Sequence, residues 1–140
     1  MKNYNVKIAF VVCVIFILFS ISGCFAAQAK PYYEDMNNYI TEDATVENII
    51  YVEERGNIVL WLSDIDPLYQ AEAFIISGEN ASRAIENDIL NKIKFGDIIT
   101  FTSAPRYFGN GYFMPIIGLS IGDEVILDIE EGYKNLLDSL

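Results

Sequence analysis

The sequence predicts a mainly β domain, in the order β-β-β-α-β-β with a short C-terminal helix, behind an N-terminal export segment. Three observations predict it. From Thr45 onward, short runs rich in β-branched and aromatic residues are separated by Gly, Asn, Asp and Pro breaks. Between the third and fourth runs, apolar residues recur every fourth position, the period of a helix. Ahead of Thr45, Lys2 and Lys7 precede an uncharged apolar run from Ile8 to Phe19 and a small-residue exit, the layout of an export signal.

The elements follow in order. Residues 49–53 form the first strand, and Arg55-Gly56-Asn57 supplies a turn. Residues 58–63 form the second, with Ile58, Leu60 and Leu62 on one face and Val59 and Trp61 on the other. After the Asp64–Pro67 break, residues 70–77 form the third, with Phe74 and Ile76 opposite Ala71, Ala73 and Ile75. Asn80 or Ser82 is placed to cap a helix whose apolar face is Ala81, Ile85, Ile89 and Ile93. Lys92 and Lys94 suit its C-terminal end, and Gly96 stops it. Residues 97–102 are the fourth strand and 116–121 the fifth. Residues 125–129 extend the sheet, and 130–140 form a helix with Tyr133, Leu136, Leu137 and Leu140 on one side. Residues 24–44 read as a tether whose Tyr32, Tyr33 and Tyr39 pack onto the domain at 45–140.

The element order and lengths over about residues 45–128 resemble the OB-fold, a small five-stranded barrel. A small α+β sheet with the helix on one face is the alternative. The resemblance implies ligand contacts on the face of strands two and three and on two loops. Here those are the Trp61 strand face, the Arg55–Asn57 turn and the Arg106–Phe113 loop.

Ile21-Ser22-Gly23-Cys24 resembles the lipobox of bacterial lipoproteins, with Ile21 where that family prefers Leu. The resemblance implies a signal peptide at 1–23, a lipid-bearing Cys24 as mature N-terminus, and anchoring to a membrane facing outward from the cytoplasm. Two other endings compete. Ala27-Gln28-Ala29 is a site for ordinary signal-peptidase cleavage, giving a secreted chain. Without cleavage, the uncharged run from Ile8 to Ala27 is long enough to span a bilayer, which takes about 20 residues.

Composition narrows the chemistry. The 140-residue chain carries a net charge of −11 and no His. Loss of Lys2 and Lys7 makes it more acidic, and no basic stripe is present to meet a phosphate backbone, so nucleic-acid binding is not expected. Cys13 lies in the signal and Cys24 at its end. The domain therefore offers no disulfide, thiol nucleophile or thiolate metal site, and no His-based triad or zinc site. No cofactor or metal is implied. Asp64 and Asp66 are spaced like calcium ligands but lack the loop's Gly and distal Glu. That pair, and the group around Asp123, Glu124 and Asp128, are more simply turn and capping residues.

The candidate binding residues are Arg106, Tyr107, Phe108, Tyr112 and Phe113, around Gly109-Asn110-Gly111, together with Trp61. Rigid aromatics beside an Arg can clamp a peptide, a sugar ring or another protein. The same residues would also make a hairpin tip that plugs a barrel end, and Trp61 would also serve as a barrel-wall ring. The expected function is a non-catalytic envelope binding module, with an envelope protein or cell-wall glycan as partner and membrane lipid held through Cys24. A carboxylate-dependent hydrolase and an immunity-type or structural envelope protein are the alternatives.

Overall fold

A computed structural model describes residues 27–109 and 111–140. The signal at 1–23, Cys24 and Asn110 lie outside the described residues. The six strands are β1 (Ile40–Val52), β2 (Asn57–Ser63), β3 (Ala73–Ile76), β4 (Ile98–Ser103), β5 (Met114–Ile121) and β6 (Glu124–Leu127). They form one sheet in the order β3-β2-β1-β4-β5-β6. Parallel pairing of β3 with β5, Phe74 opposite Met114 and Ile75 opposite Pro115, closes the first five into a mixed barrel. The helical elements are α1 (residues 27–34), a 3-10 turn (Met36–Asn38), α2 (Gly78–Glu86), α3 (Ile89–Lys92) and α4 (Ile129–Asp138). This is the expected mainly β, OB-like barrel with a short C-terminal helix.

Strand alternation sorts the core. Ile58, Leu60 and Leu62 point inward and are buried with Phe74, Ile76, Ile99, Phe101, Met114 and Ile116. The rings of Tyr69, Phe74 and Phe101 meet at 5.0–5.8 Å, mostly edge to face, which suits their quadrupoles. Ala81, Ala84, Ile89 and Ile93 belong to the same core and bring α2 and α3 onto the barrel.

Three local features differ from the sequence reading. The first strand begins at Ile40 rather than near Ile49, inside the stretch read as tether. Its early half pairs with β4, but only Ala44 and Val46 there are buried, so no strong apolar alternation announces it. The single expected helix is broken into α2 and α3 at Asp88, which adopts a left-handed conformation at φ 63°. Asx residues tolerate that conformation, and the Asn87-Asp88 pair is a natural breaker. Ile85 therefore stays exposed while Ile89 and Ile93 are buried.

Neither Asn80 nor Ser82 caps this helix, because the N-cap position is Ser77. Asn80 is instead buried one turn in. It donates to the Gly132 carbonyl at 2.8 Å and accepts from Asn135 Nδ2 at 3.0 Å, tying α2 to α4.

A second apolar cluster covers the outside of β5. Ile117 is buried there with Leu136 of α4, Ala29 and Tyr33 of α1, and Ala104. Two glycines allow α4 to lie this close. A Cβ on Gly132 would overlap the Ile117 carbonyl oxygen, and one on Gly118 would overlap Ile129 Cγ1. Asp128 starts α4 by accepting from the Glu131 backbone N–H at 3.1 Å.

Candidate functional site

Among the described residues no helix covers the outward face of β1, β2 and β3, yet most of its residues are apolar. Register places Ile50 opposite Val59 and Val59 opposite Ile75, which makes a row across three strands. Trp61 lies two positions along β2 on the same face, opposite Ala73. Val52 extends the row toward the β1–β2 turn. These side chains floor a groove of about 430 Å³ that Arg55 and Asn57 border from the turn. Gly109, Gly111 and Phe113 border it from the β4–β5 loop. Gly111, at φ +74°, packs against its neighbour: a Cβ there would sit 3.3 Å from the Phe113 ring.

The loop residues grouped by the sequence therefore separate. Phe113 and Trp61 both line the groove. Phe108 turns to the opposite side, its ring 5.4 Å from those of both Tyr32 and Tyr33. The Arg106 guanidinium lies over the Tyr32 ring at 5.6 Å, and its carbonyl accepts from the Tyr33 hydroxyl at 2.9 Å. Tyr107 and Tyr112 stack edge to face at 5.2 Å, and the Tyr107 N–H donates to Gln70 Oε1 at 3.2 Å. Tyr112 is 69% exposed and held at φ 71°, a conformation costly for an aromatic residue. Arg106 and Phe108 bind α1 to the barrel, the packing expected of Tyr32 and Tyr33.

Electrostatics distinguish the two sides. Burial pushes the Tyr33 and Tyr39 hydroxyls well above the usual tyrosine range, and neighbouring tyrosines add to it. Tyr32 is raised by burial, opposed by the nearby Arg106 cation. Tyr69, in the barrel core, is raised chiefly by burial and further by Glu42 and Asp66. In the groove, Arg55 is the charged lining residue and is exposed.

The other candidate chemistry resolves into structure. Asp64 accepts from the Thr45 hydroxyl at 2.8 Å, and Asp66 accepts from the Leu68 N–H at 2.8 Å, as turn residues do. Among the described residues, no group of three or more His, Cys, Asp or Glu converges as a metal site would. The Ser103 hydroxyl is buried and donates to the Pro115 carbonyl at 2.7 Å. No helix among the described residues is long and apolar enough to cross a membrane.

Sequence reasoning missed the groove floor, Ile50, Val52, Val59 and Ile75. The available signal was apolarity on both faces of a strand in an antiparallel wall, where the outer face is usually polar. Comparison of the chain with family models, curated proteins and solved structures finds no match.

Proposed function

We propose that the protein is a non-catalytic binding module of the cell envelope, anchored by lipid at Cys24, whose groove receives apolar side chains of another envelope protein. The observation that carries the proposal is the groove itself. It is an uncovered apolar row crossing three strands, with Trp61 and Phe113 as rigid anchors and Arg55 at the rim. Apolar surface gathered beside two rigid aromatic rings offers a partner's side chains a place to be buried. Among the described lining residues only Arg55, Asn57 and the Trp61 indole bring polar side-chain groups. A glycan, dense in hydroxyls, needs more hydrogen-bond partners than that, so a protein segment fits better. Among the described residues no carboxylate lines the groove, which favours binding over carboxylate chemistry.

The anchor fits the same picture. Cys24 lies a few residues ahead of α1, and Ala29 and Tyr33 of α1 are buried against the barrel. A lipid on Cys24 would hold the barrel next to the bilayer instead of on a long leash. Two acyl chains or more give firm anchoring, where one chain binds only marginally.

The test compares wild type with a Trp61→Ala/Phe113→Ala variant after chemical crosslinking in host cells, beside Cys24→Ala for anchoring. A discrete protein adduct present in wild type and lost in the folded double variant is expected. The expected mature chain begins at Cys24 with added diacylglycerol mass, lost in Cys24→Ala. Identical adducts in wild type and the double variant contradict the groove, and a soluble chain beginning at Lys30 contradicts the anchor.

A further inference from the structure

We infer that the uncovered edge of β1 over residues 48–52 receives an extended, cationic peptide strand, which adds to the sheet beside the groove. The inference deepens the binding role proposed above and names the partner's form. β1 pairs with β4 only through Ile40–Thr45, and with β2 through Thr45–Val52. The last backbone bonds on its β4 side join Val46 to Asp97 at 2.9 Å and Gly96 to Val46 at 2.8 Å. Beyond them, among the described residues, residues 48–52 have a strand neighbour on one side only.

Such an edge is a template for pairing, and proteins usually blunt it. The edge of β6 shows how: Asn87 reaches across and donates to the Ile126 carbonyl at 2.8 Å. No strand, proline or capping side chain does this for residues 48–52 among the described residues.

One face flanking this edge is apolar and the other is mixed. Ile50, 43% exposed, and Val52 belong to the groove wall. Tyr51, on the other face, borders a second cleft of about 300 Å³ with Ala81, Ile85, Ser82 and the carboxylate of Glu86. An added strand alternates its side chains between two faces, so it would extend the groove with one set and meet Tyr51 and Ile85 with the other.

Charge selects the occupant. Glu47, Glu53 and Glu54 bracket residues 48–52, against the single cation Arg55 in the turn. None of the three carboxylates forms a salt bridge among the described residues. A second copy pairing edge to edge would set these carboxylates against each other, whereas a strand bearing Lys and Arg is attracted.

The probe is the synthetic peptide Lys-Val-Thr-Val-Tyr-Val-Arg, with two derivatives N-methylated at alternate, complementary backbone positions. Binding to the full-length chain in lipid nanodiscs is followed by isothermal titration calorimetry and by amide hydrogen exchange. A strand added to an edge bonds through one set of alternate N–H groups only. One derivative is therefore expected to lose about tenfold or more in affinity while the other binds like the parent. Amides within residues 48–52 are expected to gain protection.

Equal behaviour of the two derivatives, absence of parent binding, or a dimer that protects the same amides without peptide would overturn the inference. Trp61→Ala separates the two readings. If the derivatives differ but Trp61→Ala leaves affinity unchanged, the edge stands and the groove fails. If Trp61→Ala weakens the parent and the derivatives behave alike, the groove stands and the edge fails.

Discussion

The barrel has a covered aromatic face and an uncovered one. On the covered face, α1 and α4 lie over β5, and the tyrosine hydroxyls there find carbonyls: Tyr33 to Arg106, Tyr39 to Tyr33, Tyr133 to Glu34. On the uncovered face, Trp61 and Phe113 border a groove with no helix over it among the described residues. One loop serves both sides. Its Arg106 and Phe108 are part of the covered layer, and its Gly109, Gly111 and Phe113 line the groove. Aromatic content alone therefore does not mark a site. What marks it is whether another element of the chain has already used the ring.

Substitutions on the two faces should separate stability from binding. The largest effect is expected from Gly132→Ala, whose methyl has no room against the Ile117 backbone. It should cost about 3 kcal/mol, the upper range for overpacking, and free α4. Denaturant unfolding would measure it, and a loss below about 1 kcal/mol would mean that α4 is not seated as described. Phe108→Ala should cost about 2 kcal/mol, less than a fully buried ring because Phe108 is half-buried, and should loosen α1 without touching the groove.

The covered face should also show in alkali. Tyr33 and Tyr39 have ionisation raised above the usual value of 10.0 by burial, so the folded state holds their protons longer than the unfolded chain. Their contribution is complete below about pH 10 and falls as pH rises beyond it. Stability measured from pH 9 upward should decline less steeply in Tyr33→Phe, and an unchanged slope would contradict the burial assigned to that hydroxyl. The smallest stability effect belongs to the uncovered face: Phe113→Ala should cost about 1 kcal/mol or less, its consequence being in binding.

Much of this fold was legible in the residues. Ile58, Leu60 and Leu62 against Val59 and Trp61 set the β2 faces, and Phe74 and Ile76 set those of β3. Gly78 and Gly96 bracket the helical region. The early half of β1 was not legible, because its buried residues are the small Ala44 and a single Val46. The helix break was hidden because Ile89 and Ile93 keep the four-residue spacing across it.

The site was half legible. The OB-like element order pointed to the Arg55–Asn57 turn, the Trp61 face and the β4–β5 loop, and these border the groove. The division within the loop was not legible, since Phe108 and Phe113 differ only in whether α1 covers them, a long-range fact absent from local pattern.

The most direct test of that division places a benzophenone photocrosslinker at position 113 and, separately, at position 108, in the protein expressed in its own host. An adduct with a protein partner is expected from position 113 and only crosslinks within the chain from position 108. Partner adducts from position 108, or from both positions alike, would contradict that division.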